Sequence, residues 1–456
     1  MSMDLLSSVA IATRAQLRGD DAVFARVVTD TRALADGDLY AALKGENFDG
    51  HEFVEQARTR GAAGAIVSRY VESALPQLVA HDVLTALQVY AASWRGRFDL
   101  PVIGVTGSNG KTSTKQMLAA ICAARGPVLA TRGNLNNHIG VPLTLLELRG
   151  EHRTAVIEMG ANHPGEIELL TGLARPGVGI VTQAGDAHLE GFGSREGVAR
   201  AKGELFASLG GGIAVINADD AYADLWRAMA KPASVITFGL SQGADVRALQ
   251  LQPEPTGAPI GTRFEMITPQ GKHSVHVPMP GRHNVLNALG AAACALAIGM
   301  DLEEIAAGLA QMQPAAGRVA WKTAASGARV LDDSYNANPT SLRAALELLA
   351  SVPGERWAVL GGMAELGPDA PRLHHEAGQA ARALGIDRLF TLGALAAEAA
   401  KGFGADAETF DDADTLAATL ARRAGSGTAV LVKGSRSSRM ERIVAALTGE
   451  QPREIH

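Results

Sequence analysis

The sequence predicts an α/β protein of three domains, with a mostly parallel sheet at the centre of the middle one. Three observations carry this reading. Short apolar, β-branched runs alternate with stretches of helical spacing along most of the chain, the pattern of helices packed on a parallel sheet. The 456 residues suffice for about three domains of ordinary size. A strand, a glycine-rich turn and a helix follow one another at residues 101–114, the order in which a phosphate cradle is built. The expected domains are 1–98, 99–314 and 315–456.

Residues 101–114 read P-V-I-G-V-T-G-S-N-G-K-T-S-T. The first five form a buried-strand run, and Gly104, Gly107 and Gly110 crowd the turn. Glycines there let backbone N–H groups converge on phosphate oxygens, and the helix N-terminus adds partial positive charge. Gly107, Ser108, Asn109, Gly110 and Ser113 make the cradle, Lys111 reaches the terminal phosphates, and Thr112 offers its hydroxyl to Mg²⁺. The pattern departs from the general G-x-x-x-x-G-K-[ST] form, whose first glycine falls on Val105. The stretch is expected to bind a nucleoside triphosphate.

Composition narrows the class. A 47% hydrophobic, 20% charged chain has ample core, and a net charge of −6 leaves no global footprint for nucleic acid. Cys122 and Cys294, the two cysteines, lie in apolar helix-like stretches. They supply neither a disulfide framework nor a zinc site, and they fit a reducing compartment. The first residues lack the positive charge of a signal peptide, and no apolar run reaches the ~18–20 residues of a membrane span. A cytoplasmic location is expected.

Ahead of the phosphate loop, Val27 and Val28 enter a strand, Asp30-Thr31-Arg32 forms a polar cluster, Asp36-Gly37 a turn, and 39–43 a second strand. Helical spacing follows over 53–63 and 83–94. On residue chemistry alone, Arg32 is a surface charge and the Asn47 to His51 stretch a solvated loop. After the loop helix, Asn134, Asn136 and Asn137 crowd four positions between glycines. A turn needs one or two asparagines, so both ligand contact and turn formation remain open.

A strand over 154–157 is followed at once by Glu158, and one over 178–181 leads to His188. Ligands collect beyond the carboxyl ends of parallel strands, so Glu158 and His188 reach the same edge. In the helix expected over 195–209, Val198, Leu205 and Phe206 mark an apolar stripe with Lys202 in its middle. A lysine there either snorkels outward or is held for chemistry; Glu158 and His188 nearby favour the second. Residues 245–277 read as a small β extension, and 281–287 enter an Ala/Gly-rich helix. Asn284 and Asn287 lie one turn apart on it and can face a ligand together, unless Asn284 is an N-cap. The last third places strands at 330–331, 357–360, 388–392 and 429–432, with D-D-S-Y-N-A-N-P after the first.

Together the phosphate loop, T-D-T-R (29–32), G-N-L-N-N-H-I-G-V-P (133–142), I-E-M-G-A (157–161), A-H-L-E-G-F-G-S (187–194), A-K-G-E-L-F (201–206), G-R-H-N-V-L-N-A (281–288), D-D-S-Y-N-A-N-P (332–339) and V-K-G-S-R-S-S-R-M-E (432–441) resemble the Mur ligases. The folylpolyglutamate synthetases share the ATP loop. The resemblance covers nearly the whole chain. It implies a central phosphate-loop domain between an N-terminal UDP-muramoyl-peptide-binding α/β domain and a C-terminal Rossmann-like ligase domain.

The member it resembles most uses ATP to phosphorylate the terminal carboxylate of a UDP-N-acetylmuramoyl-tripeptide, in cytoplasmic peptidoglycan synthesis. The amine of D-alanyl-D-alanine then attacks the acyl phosphate. By this resemblance Thr112, Glu158, His188 and a carbamylated Lys202 hold Mg²⁺. Asn287 is on the adenine side, and Arg318 and Asp333 reach the ATP phosphates and ribose. Asn134, Asn136, Asn137, Tyr335 and Asn338 face muropeptide and dipeptide, and Thr31, Arg32 and Asn47 hold the UDP moiety. A monomer is expected, closing on ATP about a hinge near 314–317.

Gln183 and Thr31 depart from the family's usual Asn and Ser. The rival that adds the third stem residue carries a D-N-P-R motif absent here. A folylpolyglutamate synthetase lacks the unit of about a hundred residues ahead of the loop. A non-ligating phosphate-loop ATPase switch leaves Lys202 and the asparagines unexplained.

Overall fold

The structure, a computed structural model, describes residues 2–253 and 261–451. The chain forms two compact units. The first comprises Met1–Gly104, Gly126–Gly160 and Glu168–Gly177, the second Val105–Arg125, Ala161–Ile167 and Val178–His456.

In the first unit, strands Val27–Val28, Leu39–Ala41, Gly64–Val67 and Gln77–Val79 pair in parallel, and Gln16–Arg18 closes the edge antiparallel. Val28, Tyr40, Val54, Ala65 and Val67 form the core beneath them. The helix expected over 53–63 is only Val54–Thr59, because Gly61 turns back at φ +85°. Helix Val83–Arg95 begins at an Asp82 cap that accepts from the Thr85 N–H. Strand Thr154–Glu158 pairs in parallel with Val128–Ala130. Its last residue is Glu158, so that carboxylate ends the strand rather than following it.

In the second unit, Val178–Val181, Ile213–Asn217 and Ser234–Gly239 pair in parallel. Strands Val246–Pro253, Thr262–Thr268 and Gly271–Val277 extend this row, the last two antiparallel. They are the β extension expected over 245–277, longer-stranded than anticipated; 254–260 lie outside the described residues. Helix Arg282–Ala297 packs tightly on the row: a Cβ on Gly290 would stand 2.7 Å from Ile180 Cδ1. Small residues are what permit that approach.

The same unit holds a six-stranded sheet. Arg329–Asp333, Thr428–Lys433, Glu355–Leu360, Arg388–Leu392 and Ala407–Phe410 are parallel, with Ala320–Thr323 antiparallel at one edge. Its two faces carry separate cores, one around Leu331, Leu346 and Leu431, the other around Val330, Phe390 and Val430. This alternation is the pleat of a sheet covered by helices on both sides.

Candidate active site

Strand Val102–Thr106 and helix Lys111–Cys122 flank the glycine turn. Gly107 sits at φ +142° and Gly110 at φ +84°. A Cβ would stand 2.0 Å from Thr182 Oγ1 at Gly107 and 2.3 Å from Asn287 Oδ1 at Gly110. Both positions therefore require glycine, for backbone conformation and for space. The loop is tied from behind: Ser108 N donates to Gln183 O at 2.9 Å and Thr182 Oγ1 to Asn109 O at 2.6 Å. Lys111 Nζ donates to Gly107 O at 2.7 Å and Ser108 O at 3.3 Å. Val105, where the general pattern has glycine, is fully buried in the strand.

The loop forms one wall of a cavity of about 220 Å³ that also takes in Asn287, Arg318, Asp333 and Tyr335. These groups, expected to meet only on closure, already line one cavity. Asn287 Nδ2 donates to Asn284 Oδ1 at 3.3 Å, and Asn284 Nδ2 to Pro280 O at 2.7 Å. The N-cap of that helix is Gly281, which removes the reading of Asn284 as cap. The Arg318 guanidinium lies 4.1 Å from the Tyr335 ring centroid, a cation–π stack. Arg318 is held between Gly317 at φ +71° and Val319 at φ +51°. A β-branched residue in that region is strained.

Asn338 caps helix Pro339–Ala350 and exchanges amide hydrogen bonds with Asn109, at 2.8 and 3.3 Å. That sets it against the phosphate loop. Lys433 is a lining residue that the sequence reading missed. Its Nζ pairs with Asp333 Oδ2 and donates to Asn336 O at 2.9 Å. The two residues stand opposite each other in adjacent parallel strands. The signal available was the V-K-G-S-R strand end, but strand adjacency is not visible in it. His283 also lines the cavity, with burial pushing its pKa down.

Lys202 lies in helix Arg195–Ala207 with 1% exposure. Its Nζ donates to Ala161 O at 2.9 Å and sits 5.0 Å from the Phe192 ring centroid. Burial first, and the Lys111 charge second, bring its pKa down to about 7. It does not snorkel. His188 stands at φ +55°, its Nδ1 in ion-pair contact with Glu365 but without a well-directed hydrogen bond.

Glu158 belongs to the first unit, whereas Thr112, His188 and Lys202 belong to the second. Glu158 is buried and accepts from Asn136 Nδ2 at 2.9 Å. Asn137 Oδ1 accepts from Ile139 N and Gly140 N, a turn-forming role, and Asn134 is exposed. Thr31 Oγ1 donates to Gln56, Arg32 is paired with Asp30, and Asn47 is exposed.

The sequence matches the Mur ligase family catalytic domain over residues 24–124, the Mur ligase middle domain over 105–295 and the Mur ligase glutamate ligase domain over 317–436. The chain belongs to the Mur ligase family. It is 43% identical to the UDP-N-acetylmuramoyl-tripeptide–D-alanyl-D-alanine ligase of Escherichia coli K12, over 97% of this chain and 98% of that one. Its fold is similar to a crystal structure of MurF from Acinetobacter baumannii, with TM-score 0.91, 38% identity and coverage of 97% and 98%. It is also similar to the MurF ligase of Thermotoga maritima in complex with ADP, with TM-score 0.82, 29% identity and coverage of 93% and 97%.

Proposed function

We propose that this Mur ligase joins D-alanyl-D-alanine to a UDP-N-acetylmuramoyl-tripeptide at the expense of ATP. The observation that carries the reading is the single cavity in which the phosphate loop faces Arg318, Asp333 and Tyr335. Phosphoryl transfer asks mainly for positioning and charge neutralisation, and this cavity supplies both. The tripeptide carboxylate attacks the γ-phosphorus, ADP leaves, and an acyl phosphate forms. The dipeptide amine attacks the acyl carbon, loses a proton, and phosphate departs with the former carboxylate oxygen.

Lys111 exchanges its carbonyl partners Gly107 and Ser108 for the terminal phosphates. Arg318 neutralises charge on the same group, while Asn287 and Asp333 position adenine and ribose. At about 220 Å³ the cavity is below the ~300–1,000 Å³ of a typical small-molecule site, so its walls part to admit ATP. The hinge near 314–317 adjoins the strained Val319 and is the place for that motion. Domains 1–98, 99–314 and 315–456, a monomeric state and a cytoplasmic location complete the reading. Among the described residues no helix is long and apolar enough to cross a membrane.

Family resemblance assigns Mg²⁺ to this reaction. Among the described residues no group of three or more His, Cys, Asp or Glu forms a cage, and Mg²⁺ characteristically takes one or two carboxylates plus substrate phosphates. In the second unit the resemblance assigns Thr112, His188 and Lys202, the last as its carbamate, to the metal; in the first unit it assigns Glu158. When bound, the metal neutralises phosphate charge. An amine with a pKa of about 7 has a substantial neutral fraction near physiological pH, and the neutral form is the one that adds CO₂.

Phosphate release tests the proposal. It should require both UDP-tripeptide and D-alanyl-D-alanine and match pentapeptide formed; hydrolysis independent of both would favour an ATPase switch instead.

A further inference from the structure

The stretch from Asn47 to His51, expected as a solvated loop, is anchored at one end by a buried imidazole. Within the first unit, strands Val27–Val28, Leu39–Ala41 and Gly64–Val67 are parallel neighbours. Segments 30–32, 42–51 and 68–70 follow their carboxyl ends, the edge of a parallel sheet where ligands collect. His51, 4% exposed, ties the second of these segments to the third. Its Nε2 accepts from Ser68 N at 2.9 Å, which leaves the proton on Nδ1 to donate to Asp49 Oδ1 at 2.6 Å. Asp49 Oδ1 also accepts from His51 N at 3.0 Å, capping the single turn Gly50–Phe53. The His51 N–H first, and its ring second, hold the Asp49 carboxyl pKa down at about 2. Asp49 is therefore a lasting anionic partner for that ring.

The backbone ahead of this anchor is equally determined. Gly45 N donates to Phe48 O at 2.9 Å and Gly50 N to Leu43 O at 2.8 Å, closing a narrow turn. A Cβ on Gly50 would stand 2.4 Å from Leu43 O, so the closure requires glycine there. The Tyr40 hydroxyl donates to Gly50 O at 3.0 Å from the strand beneath. Asn47 stands exposed on this turn. A side chain on a loose loop binds weakly, because the loop must be ordered when the ligand arrives; a pre-built loop avoids that cost. We propose that His51 is a positioning residue that, through Asp49 and the Ser68 backbone, holds loop 44–49 so that Asn47 meets the UDP moiety of the substrate. The inference rests on the first unit being the part that takes that moiety.

The test uses the full chain carrying His51→Leu, Asp49→Ala, Asp49→Asn or Asn47→Ala, each confirmed as folded by circular dichroism. Calorimetry measures affinity for UDP, and steady-state kinetics measure kcat and the KM for UDP-tripeptide and for ATP. Asn47→Ala is expected to weaken UDP by about 3- to 10-fold, the worth of one hydrogen bond. His51→Leu and Asp49→Ala should lose at least as much and raise the tripeptide KM, with kcat and the ATP KM at parental values. Adding Asn47→Ala to either should cost less than Asn47→Ala alone, as for residues acting as one unit. Asp49→Asn keeps the acceptor for the ring and should bind UDP more tightly than Asp49→Ala. Parental UDP affinity in Asp49→Ala and His51→Leu, or losses that simply add to that of Asn47→Ala, overturns this proposal alone. Parental UDP affinity in Asn47→Ala overturns the placing of UDP on this loop, and the proposal with it. Asp49 is only partly buried, so its variants carry the test should His51→Leu fail to fold.

Discussion

Lys202 and Lys433 are both buried in the second unit, and their surroundings make them different reagents. Lys433, 2% exposed, has the Asp333 carboxylate and the Asn336 carbonyl as partners. Lys202, 1% exposed, has one carbonyl and an aromatic ring, with the Lys111 charge opposing it. Burial penalises an ammonium unless an opposite charge offsets it. Lys433 is therefore a charge clamp on the nucleotide wall. Lys202 is an amine that readily gives up its proton. Burial alone does not decide what a lysine does; the nearest carboxylate does.

The largest effect should come from converting Lys202. Lys202→Met is expected to abolish ligation while stabilising the fold. The sign follows from linkage: the folded pKa is about 7 and the unfolded one 10.5. Between these values the unfolded chain binds the extra proton, so parental stability rises with pH across that window and is lowest below pH 7. Chemical melts in CO₂-free buffer should show Lys202→Met more stable than the parent at pH 6, the gap shrinking towards pH 10. A parent with the same stability at both pH values would remove the contrast with Lys433.

Lys433→Met should do the opposite. It strands the buried Asp333 carboxylate, which characteristically destabilises by about 3–5 kcal/mol. The Asp333→Asn, Lys433→Met pair should recover most of that in urea melts, since it removes both charges. Gly110→Ala is next. The new Cβ meets Asn287 and the residue must hold φ +84°, a strain of about 1–3 kcal/mol, read as a raised KM for ATP with tripeptide KM unchanged. The smallest effect belongs to Tyr335. Tyr335→Leu removes a stack worth ~0.5–1 kcal/mol and should raise the ATP KM a few-fold. Tyr335→Phe keeps the ring face and should leave it alone.

The contrast between the lysines also shows what the sequence could disclose. Lys202 was legible because it interrupts an apolar stripe within one helix, a local pattern of period 3.6. The phosphate loop was legible for the same reason, since all its parts are contiguous. Lys433 was not, because its partner lies in a neighbouring strand a hundred residues away, and parallel pairing is set by tertiary register. Asn136 and Asn137 look alike in the sequence, but one holds a carboxylate and the other a turn. Ala320–Thr323 and Ala407–Phe410 escaped as short edge strands with only partial burial. Their alternation is too brief to rise above loop sequence. Glu158 and Asp333 were placed just after their strands; each is the terminal strand residue, within the usual uncertainty of element ends.

The measurement that addresses the central claim most directly is oxygen transfer. UDP-tripeptide labelled with ¹⁸O in its terminal carboxylate is turned over with ATP and D-alanyl-D-alanine, and the released phosphate is weighed. Ligation through an acyl phosphate predicts one labelled oxygen in each phosphate released. Unlabelled phosphate would contradict it, because the carboxylate oxygen would then never have been bonded to phosphorus.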